Sequence, residues 1–203
     1  MPGPVSLYRR FIVSTRGVAA IEFAMILPVL LIMLLATFDA GRAIAVYMKV
    51  RSATFTMAAI TNQYSTTSPI QSADMTAITG ATTAVLAPYS SSPVVVVISQ
   101  LEITKAGNTT ATVDWSATLN GTALAVGSTV TLPTTIASST NICQSYTGKP
   151  PGCYLIYSQV SYQYTPVFGY FGKGGITLSD TEFVTPRSST CIPYVPQTGT
   201  TCP

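Results

Sequence analysis

Between Val18 and Phe38 the chain reads VAAIEFAMILPVLLIMLLATF, and Glu22 is its single charge. A helix of about 21 residues rising 1.5 Å per residue measures roughly 31 Å, enough to cross the hydrocarbon core of a bilayer. Arg9, Arg10 and Arg16 precede the run, and residues 1–17 hold no acid. A basic flank beside an apolar span marks the cytoplasmic side, so the chain after Asp39 is expected outside. A core helix seldom carries so apolar a run beside an arginine arm. A cleaved secretory signal has a shorter apolar region of about 7–15 residues and a small-x-small cleavage site, which Phe38-Asp39-Ala40 does not supply.

The rest of the composition narrows function. Histidine is absent from the 203 residues. That excludes Ser-His-Asp and Cys-His catalysis, histidine-ligated metals and a histidine pH switch. Only 8% of residues are charged, against about 25% in soluble domains. The net charge of +3 resides on the first 17 residues, while residues 64–203 hold four bases and five acids. A nucleic-acid binder carries its basic patch on the folded domain, so no nucleic acid is expected as partner. No phosphate loop or nucleotide fingerprint is present, and neither enzymatic activity nor a cofactor is expected.

Three residues stand out around the span. Gly17 precedes it, Glu22 sits inside it, and Pro28 lies mid-span, where it removes a backbone donor and favours a kink. The stretch RGVAAIEFAMILPVLLIMLLATFDAGRA resembles the N-terminus of TadE-like proteins, pseudopilins (minor pilins) of the bacterial Tad (Flp) pilus. The resemblance implies cleavage by a prepilin peptidase after Gly17, making Val18 the first mature residue. Glu22 then takes the fifth place, with Phe23 next. Pro28 and the Asp39-x-Gly41-Arg42 step fit the same pattern. Fainter echoes are Tyr162-x-Tyr164-x-Pro166, Trp115, Leu132-Pro133 and Pro186-Arg187. The implied partners are the prepilin peptidase, other pilins or pseudopilins and the inner-membrane platform. The implied location is the bacterial inner membrane, single-pass, N-terminus cytoplasmic and C-terminal domain periplasmic. Physically, Glu22 would pair with the new amine of a neighbouring subunit's Val18, neutralising two charges where the dielectric is low and setting helix register.

Beyond the span the helix is expected to run to about Asn62, with a stripe of Ile44, Tyr47, Met48, Phe55, Ala58 and Ala59 packing on the outer domain. Residues 72–86 read as a second helix capped by Ser72. Strands are expected at 93–103, 109–119, 130–133, 154–164 and 176–184, with turns at Lys105–Asn108 and Asn120-Gly121. The fold class is α+β, a pilin-like stem helix followed by a mostly antiparallel sheet with a second helix. The divisions are a leader at 1–17, a transmembrane and stem helix at 18–63, and an extracytoplasmic domain at 64–203.

Cys143, Cys153, Cys191 and Cys202 allow three pairings. Their spacing suggests two local loops, 143–153 and 191–202, in the oxidising compartment that the topology implies. Without histidine or Cys-x-x-Cys, zinc is not expected. Asp180 and Glu182 lie two apart on one strand face, where a glycosidase pair is conceivable and a solvated face more ordinary. Tyr154, Tyr157, Tyr162, Tyr164, Phe168, Tyr170 and Phe171 are expected to divide between core and subunit contacts, half-wet positions that suit tyrosine. A permanently anchored module that binds glycan or envelope polymer is the alternative reading.

Overall fold

The computed structural model describes residues 17–89, 94–103, 109–137, 153–168, 175–197 and 202. Helix α1 is Val18–Thr61, 44 residues, unbroken through Pro28. Helix α2 is Ser72–Val85. The strands are β1 (Val94–Ile103), β2 (Thr110–Leu119), β3 (Thr129–Thr131), β4 (Cys153–Tyr164) and β5 (Ile176–Val184), and a short helix α3 (Thr134–Ala137) follows β3. The sheet order is β3-β2-β1-β4-β5 and every pairing is antiparallel. The fold is therefore α+β, one long apolar helix leading into a five-stranded sheet with a second helix.

The β-branched run of β1 takes the middle of the sheet, where residues buried on both faces belong. One face carries Val94, Val96, Ile98, Trp115, Ile156 and Val160 against Val46, Val50, Ala53 and Met57 of α1 and Met75 and Ile78 of α2. The other face carries Val97, Leu101, Val113, Leu155 and Tyr157 beneath Leu124, Leu132 and Ile136. Threonine enters the helical layer because its hydroxyl is satisfied locally. Buried Thr54, Thr61, Thr79 and Thr82 each donate to the carbonyl four residues back, at 2.8–3.0 Å.

Helix α2 starts at Ser72 as its sequence suggests, but Gln71 rather than Ser72 is its N-cap. The Asp74 carboxylate reaches back to accept the Gln71 N–H at 2.8 Å. An acid three residues into a helix, near its positive end, does this better than a serine inside the first turn. Asp74 also acts on Tyr64, whose phenol is raised by burial first and by the Asp74 charge and hydrogen bond second.

A bulge fastens the C-terminal segment to the sheet. Gln100 pairs with Trp115 but Leu101 with Val113, so Asp114 is the extra residue on β2. Buried Gln100 donates to Asp114 Oδ2 and accepts the N–H of Ile192, each at 2.7 Å. Trp115 Nε1–H donates to the carbonyl of the same Ile192 at 2.7 Å. Both backbone groups of Ile192 are thus held by side chains from the sheet. Gln197 accepts from Ser116 N–H at 3.1 Å and donates to its carbonyl at 3.0 Å. Ile70 bridges Tyr194 in parallel, and a Cys191–Cys202 disulfide closes the strap. Cys153 is disulfide-bonded too, whereas Cys143 lies outside the described residues.

Two predictions follow from the bulge. Gln100→Leu strands the Ile192 N–H in a buried place and should cost about 1–3 kcal/mol, measured by denaturant unfolding of the detergent-solubilised chain through Trp115 fluorescence. Burial, opposed by the Gln100 hydrogen bond and reinforced by the Glu102 charge, raises the Asp114 carboxyl above its ordinary value. The folded state therefore holds this proton more tightly than the unfolded state does, and stability falls as pH rises from the ordinary aspartate range through the raised value. Asp114→Asn should remove that slope, since its amide oxygen still accepts from Gln100, and thermal melts from pH 4 to 7 check it.

Candidate functional site

Helix α1 has two neighbourhoods. Among the described residues, none buries its first half from Val18 to Leu34. Val18, Phe23, Leu27, Leu30 and Leu34 are exposed, and the most apolar stretch is wholly uncovered. One N-terminal apolar helix of this length fits a single-pass membrane protein. Gly17 stands at the N-cap with ordinary helical dihedrals, and a Cβ placed on it would meet nothing within 4 Å. Neither backbone conformation nor packing requires glycine at that position. Glu22 is exposed, and among the described residues it has no ion-pair partner.

The second half of α1 lies on the sheet, and the face it uses differs from the expected one. The buried residues are Asp39, Val46, Val50, Ala53, Thr54, Met57, Ala58 and Thr61. Of the expected stripe only Ala58 is buried. Ile44, Tyr47, Met48, Phe55 and Ala59 face outward. Positions 44, 48 and 55 each stand two residues from 46, 50 and 53 or 57, about 200° around a helix, which is the opposite side. The smaller side chains face the sheet because they let the helix axis approach it closely. The bulky ones form an apolar ridge, Ile44-Met48-Phe55, on the same helix as the uncovered span. Lys49 and Arg51 are exposed beside it.

Two polar side chains lock this half of the helix in place. Asp39 is only 3% exposed. Its Oδ1 accepts the N–H of Val167 and its Oδ2 that of Phe168, each at 3.1 Å. The Tyr164 hydroxyl donates to the Asp39 carbonyl at 3.3 Å. Asp39 thus binds the last residue of β4 through its carbonyl and the Val167–Phe168 turn just past that strand through its carboxylate. Burial first, then the Asp39 charge, raises the Tyr164 phenol, and Arg42 opposes the rise. At the far end of α1, Asn62 Oδ1 accepts the N–H of Arg187 at 2.8 Å, just past β5. Between them Ser158 Oγ donates to the Thr54 carbonyl at 3.3 Å. The sequence singled out Asp39-x-Gly41-Arg42 and Tyr162-x-Tyr164-x-Pro166 separately, and their contact was not foreseen. Their shared signal is an aspartate where an apolar helix meets water, with a Pro-containing break after a strand.

The remaining candidates disperse. Asp180 and Glu182 are half-buried opposite Val160 and Ser158, on the side of the sheet that α1 covers. Tyr154, Tyr157, Tyr162 and Tyr164 are buried, so these four do not form a sugar platform. Tyr157 rests edge-on against Phe183, and burial raises its phenol. Phe168 is exposed, while Tyr170 and Phe171 lie outside the described residues. Among the described residues no cluster of acids and cysteines has the makings of a metal site.

Asp39→Ala removes the acceptor of two amide donors, and should destabilise the folded domain by about 2–3 kcal/mol. Asp39→Asn keeps one carbonyl oxygen and should lose roughly half as much. Denaturant unfolding of the detergent-solubilised chain measures both.

None of the curated proteins and none of the solved structures compared with the chain matches it. The family model of the TadE-like proteins matches residues 17–58. That segment contains Gly17, Glu22, Pro28, the Asp39 junction and the outward ridge. Over residues 17–58 the chain is similar to the TadE-like family, the one its Gly17-to-Arg42 pattern resembles, and that similarity suggests a pilin-like protein associated with a Tad pilus.

Proposed function

We propose that this chain is a minor pilin, or pseudopilin, that acts in Tad pilus assembly through protein contacts and without catalysis. The observation that carries the reading is the division of labour along α1. Its own domain covers one face of the outer half, while among the described residues nothing buries the opposite ridge of Ile44, Met48 and Phe55 or the span from Val18 to Leu34. A ridge of large apolar side chains on the same helix as a membrane span suits packing against other pilin-like helices, first in the inner membrane and then in an assembly. The arginines ahead of the span support a periplasmic outer domain.

Processing belongs to the same reading. The fold makes no demand for glycine at position 17, so its presence is accounted for by a prepilin peptidase cutting between Gly17 and Val18. The freed Val18 amine of one subunit then pairs with Glu22 of another. An ionisable group in lipid costs about 2.5–3.5 kcal/mol at mid-bilayer and less near its edge. Glu22 keeps that cost until a neighbour arrives, which favours correct register in the assembly and the inner-membrane platform.

Mass spectrometry of protein isolated from the native host should find a chain beginning at Val18. Deletion of the peptidase, or Gly17→Leu, should leave residues 1–17 attached. Recovery of wild-type protein beginning at Met1 would overturn the proposal. Glu22→Ala should still be cut yet lose crosslinks between stems, whereas Glu22→Asp should retain part of them. A stem that crosslinks equally well without its acid would remove the pairing from the account. Cleaved protein that makes no stem contacts but binds cell-wall glycan would favour the anchored module instead.

A further inference from the structure

Outside α1, five large apolar side chains are exposed among the described residues: Val126, Val167, Phe168, Ile176 and Val195. Three of them gather at one end of the domain. Val167 is 53% exposed and Phe168 41%. Ile176 pairs with Tyr164 across the β4–β5 register, at the start of the same break. That end is the one from which α1 departs. The Phe168 ring meets the Phe38 ring edge-on, with centroids 6.0 Å apart, and Phe38 closes the apolar run. Asp39 holds the amides of Val167 and Phe168 at 3.1 Å. The guanidinium of Arg42 lies 6.0 Å from the Phe38 ring.

From these contacts we infer that the Val167–Phe168 turn, with Phe38 and Ile176, forms a second, shallow membrane contact that dips into the outer leaflet beside the helix. The inference rests on the reading of α1 as a membrane span. A helix that fills about 30 Å of hydrocarbon between Val18 and Phe38 puts Phe38 at the boundary of that layer, and Arg42 about 6 Å higher, among the lipid phosphates. The Asp39 clamp carries the turn to the same level. Phenylalanine and aliphatic side chains bury at the boundary of headgroups and acyl chains, and a guanidinium suits the anionic headgroups. Asp39, the acid nearest the rim, is buried with both carboxylate oxygens occupied, so it opposes the contact little. Two attachments, helix and turn, hold the sheet at a fixed tilt to the membrane, where a single helix would leave it free to swing. The bilayer that α1 crosses is favoured over a second protein as the occupant because the patch is continuous with the span itself.

The test uses the full chain in nanodiscs with single added thiols, Val167→Cys, Val126→Cys and Leu30→Cys, each carrying an environment-sensitive fluorophore. All three positions are exposed, and the described native cysteines are in disulfides. Lipids bearing a spin label near the headgroup should quench the position 167 probe several-fold more than the position 126 probe. Lipids labelled deep in the acyl chain should quench the position 30 probe most. Quenching at 30, with 167 behaving like 126, overturns the contact and leaves the span intact. No lipid quenching at 30 removes the span, and the inference with it. Equal quenching at 126 and 167 overturns the oriented contact. Shielding of 167 from a soluble quencher without lipid quenching assigns the patch to a second copy or another protein, and overturns the lipid contact.

Discussion

A buried carboxylate at the point where one helix changes solvent organises this molecule. Asp39 sits one residue past the last apolar side chain of the run, on the face that turns toward the sheet. There it has traded water for two backbone amides of the turn after β4. An uncompensated acid would be costly at that depth of burial, and two charge-assisted hydrogen bonds make it tolerable. The geometry works both ways. The clamp gives the amides of Val167 and Phe168 acceptors and so shapes the turn. It also fixes the height of the sheet above the end of the span. The second lock, Asn62 on Arg187 N–H, fixes the other end. The packing of Val46, Val50, Ala53 and Met57 fills the interval between them. The stem and the sheet consequently act as one body beyond Phe38, although no covalent constraint joins them except chain continuity.

How much of this was legible depends on how the sequence encodes it. The span, the α+β order and the strand positions are local signals: an apolar run, period-2 alternation and turn residues. Tyr154–Tyr164, with its clean alternation, lies almost wholly within β4. The side of α1 that meets the sheet was not legible, because the helix is apolar on both sides. Around residues 44–58 there are two stripes of period 3.6, one of bulky residues and one of small and medium ones. Periodicity supplies the spacing of a buried face but not its phase when both faces are apolar. Size alone favours the wrong stripe. Close packing on a sheet selects Val46, Val50 and Ala53, and leaves Ile44, Met48 and Phe55 exposed among the described residues.

The long-range polar fastenings were equally hidden. Gln100 lies in a strand of valine, isoleucine and leucine, and is wholly buried because both ends of its amide are used. Its partners are Asp114, which the bulge displaces, and Ile192, ninety-two residues away. No local pattern links those positions. What the sequence does offer is an anomaly, a lone amide in an apolar central strand opposite a tryptophan whose N–H needs an acceptor. Both anomalies resolve on one backbone unit, Ile192. The same logic applies to Asp39. An aspartate at the water end of an apolar helix reads as the start of the solvated segment, yet its burial is what joins helix to sheet.

A helix with two apolar faces also explains why the domain leaves so much of its stem bare. Were the sheet to wrap α1 fully, the ridge at Ile44, Met48 and Phe55 would be spent within the chain, and only the lipid-facing half would remain for assembly. Packing one face with small and medium residues and leaving the large ones outside keeps Ile44, Met48 and Phe55 exposed on the same helix as the apolar span. In lipid the first part of that helix gains nothing from association by hydrophobicity alone, since lipid tails are as apolar as leucine, and depends on van der Waals fit and polar pairing. Outside the membrane the ridge faces water, where each large side chain gains on burial. The same helix therefore carries two different incentives to associate. On the proposed reading, the incentive below Phe38 is register, through Glu22 and a neighbouring terminus. Above it the incentive is removal of Ile44, Met48 and Phe55 from water. Were the chain to pass from the bilayer into the proposed assembly, the surroundings of the first part would change while both incentives would still point toward the same neighbours. The locks at Asp39 and Asn62 would keep the ridge aligned with the span through that exchange.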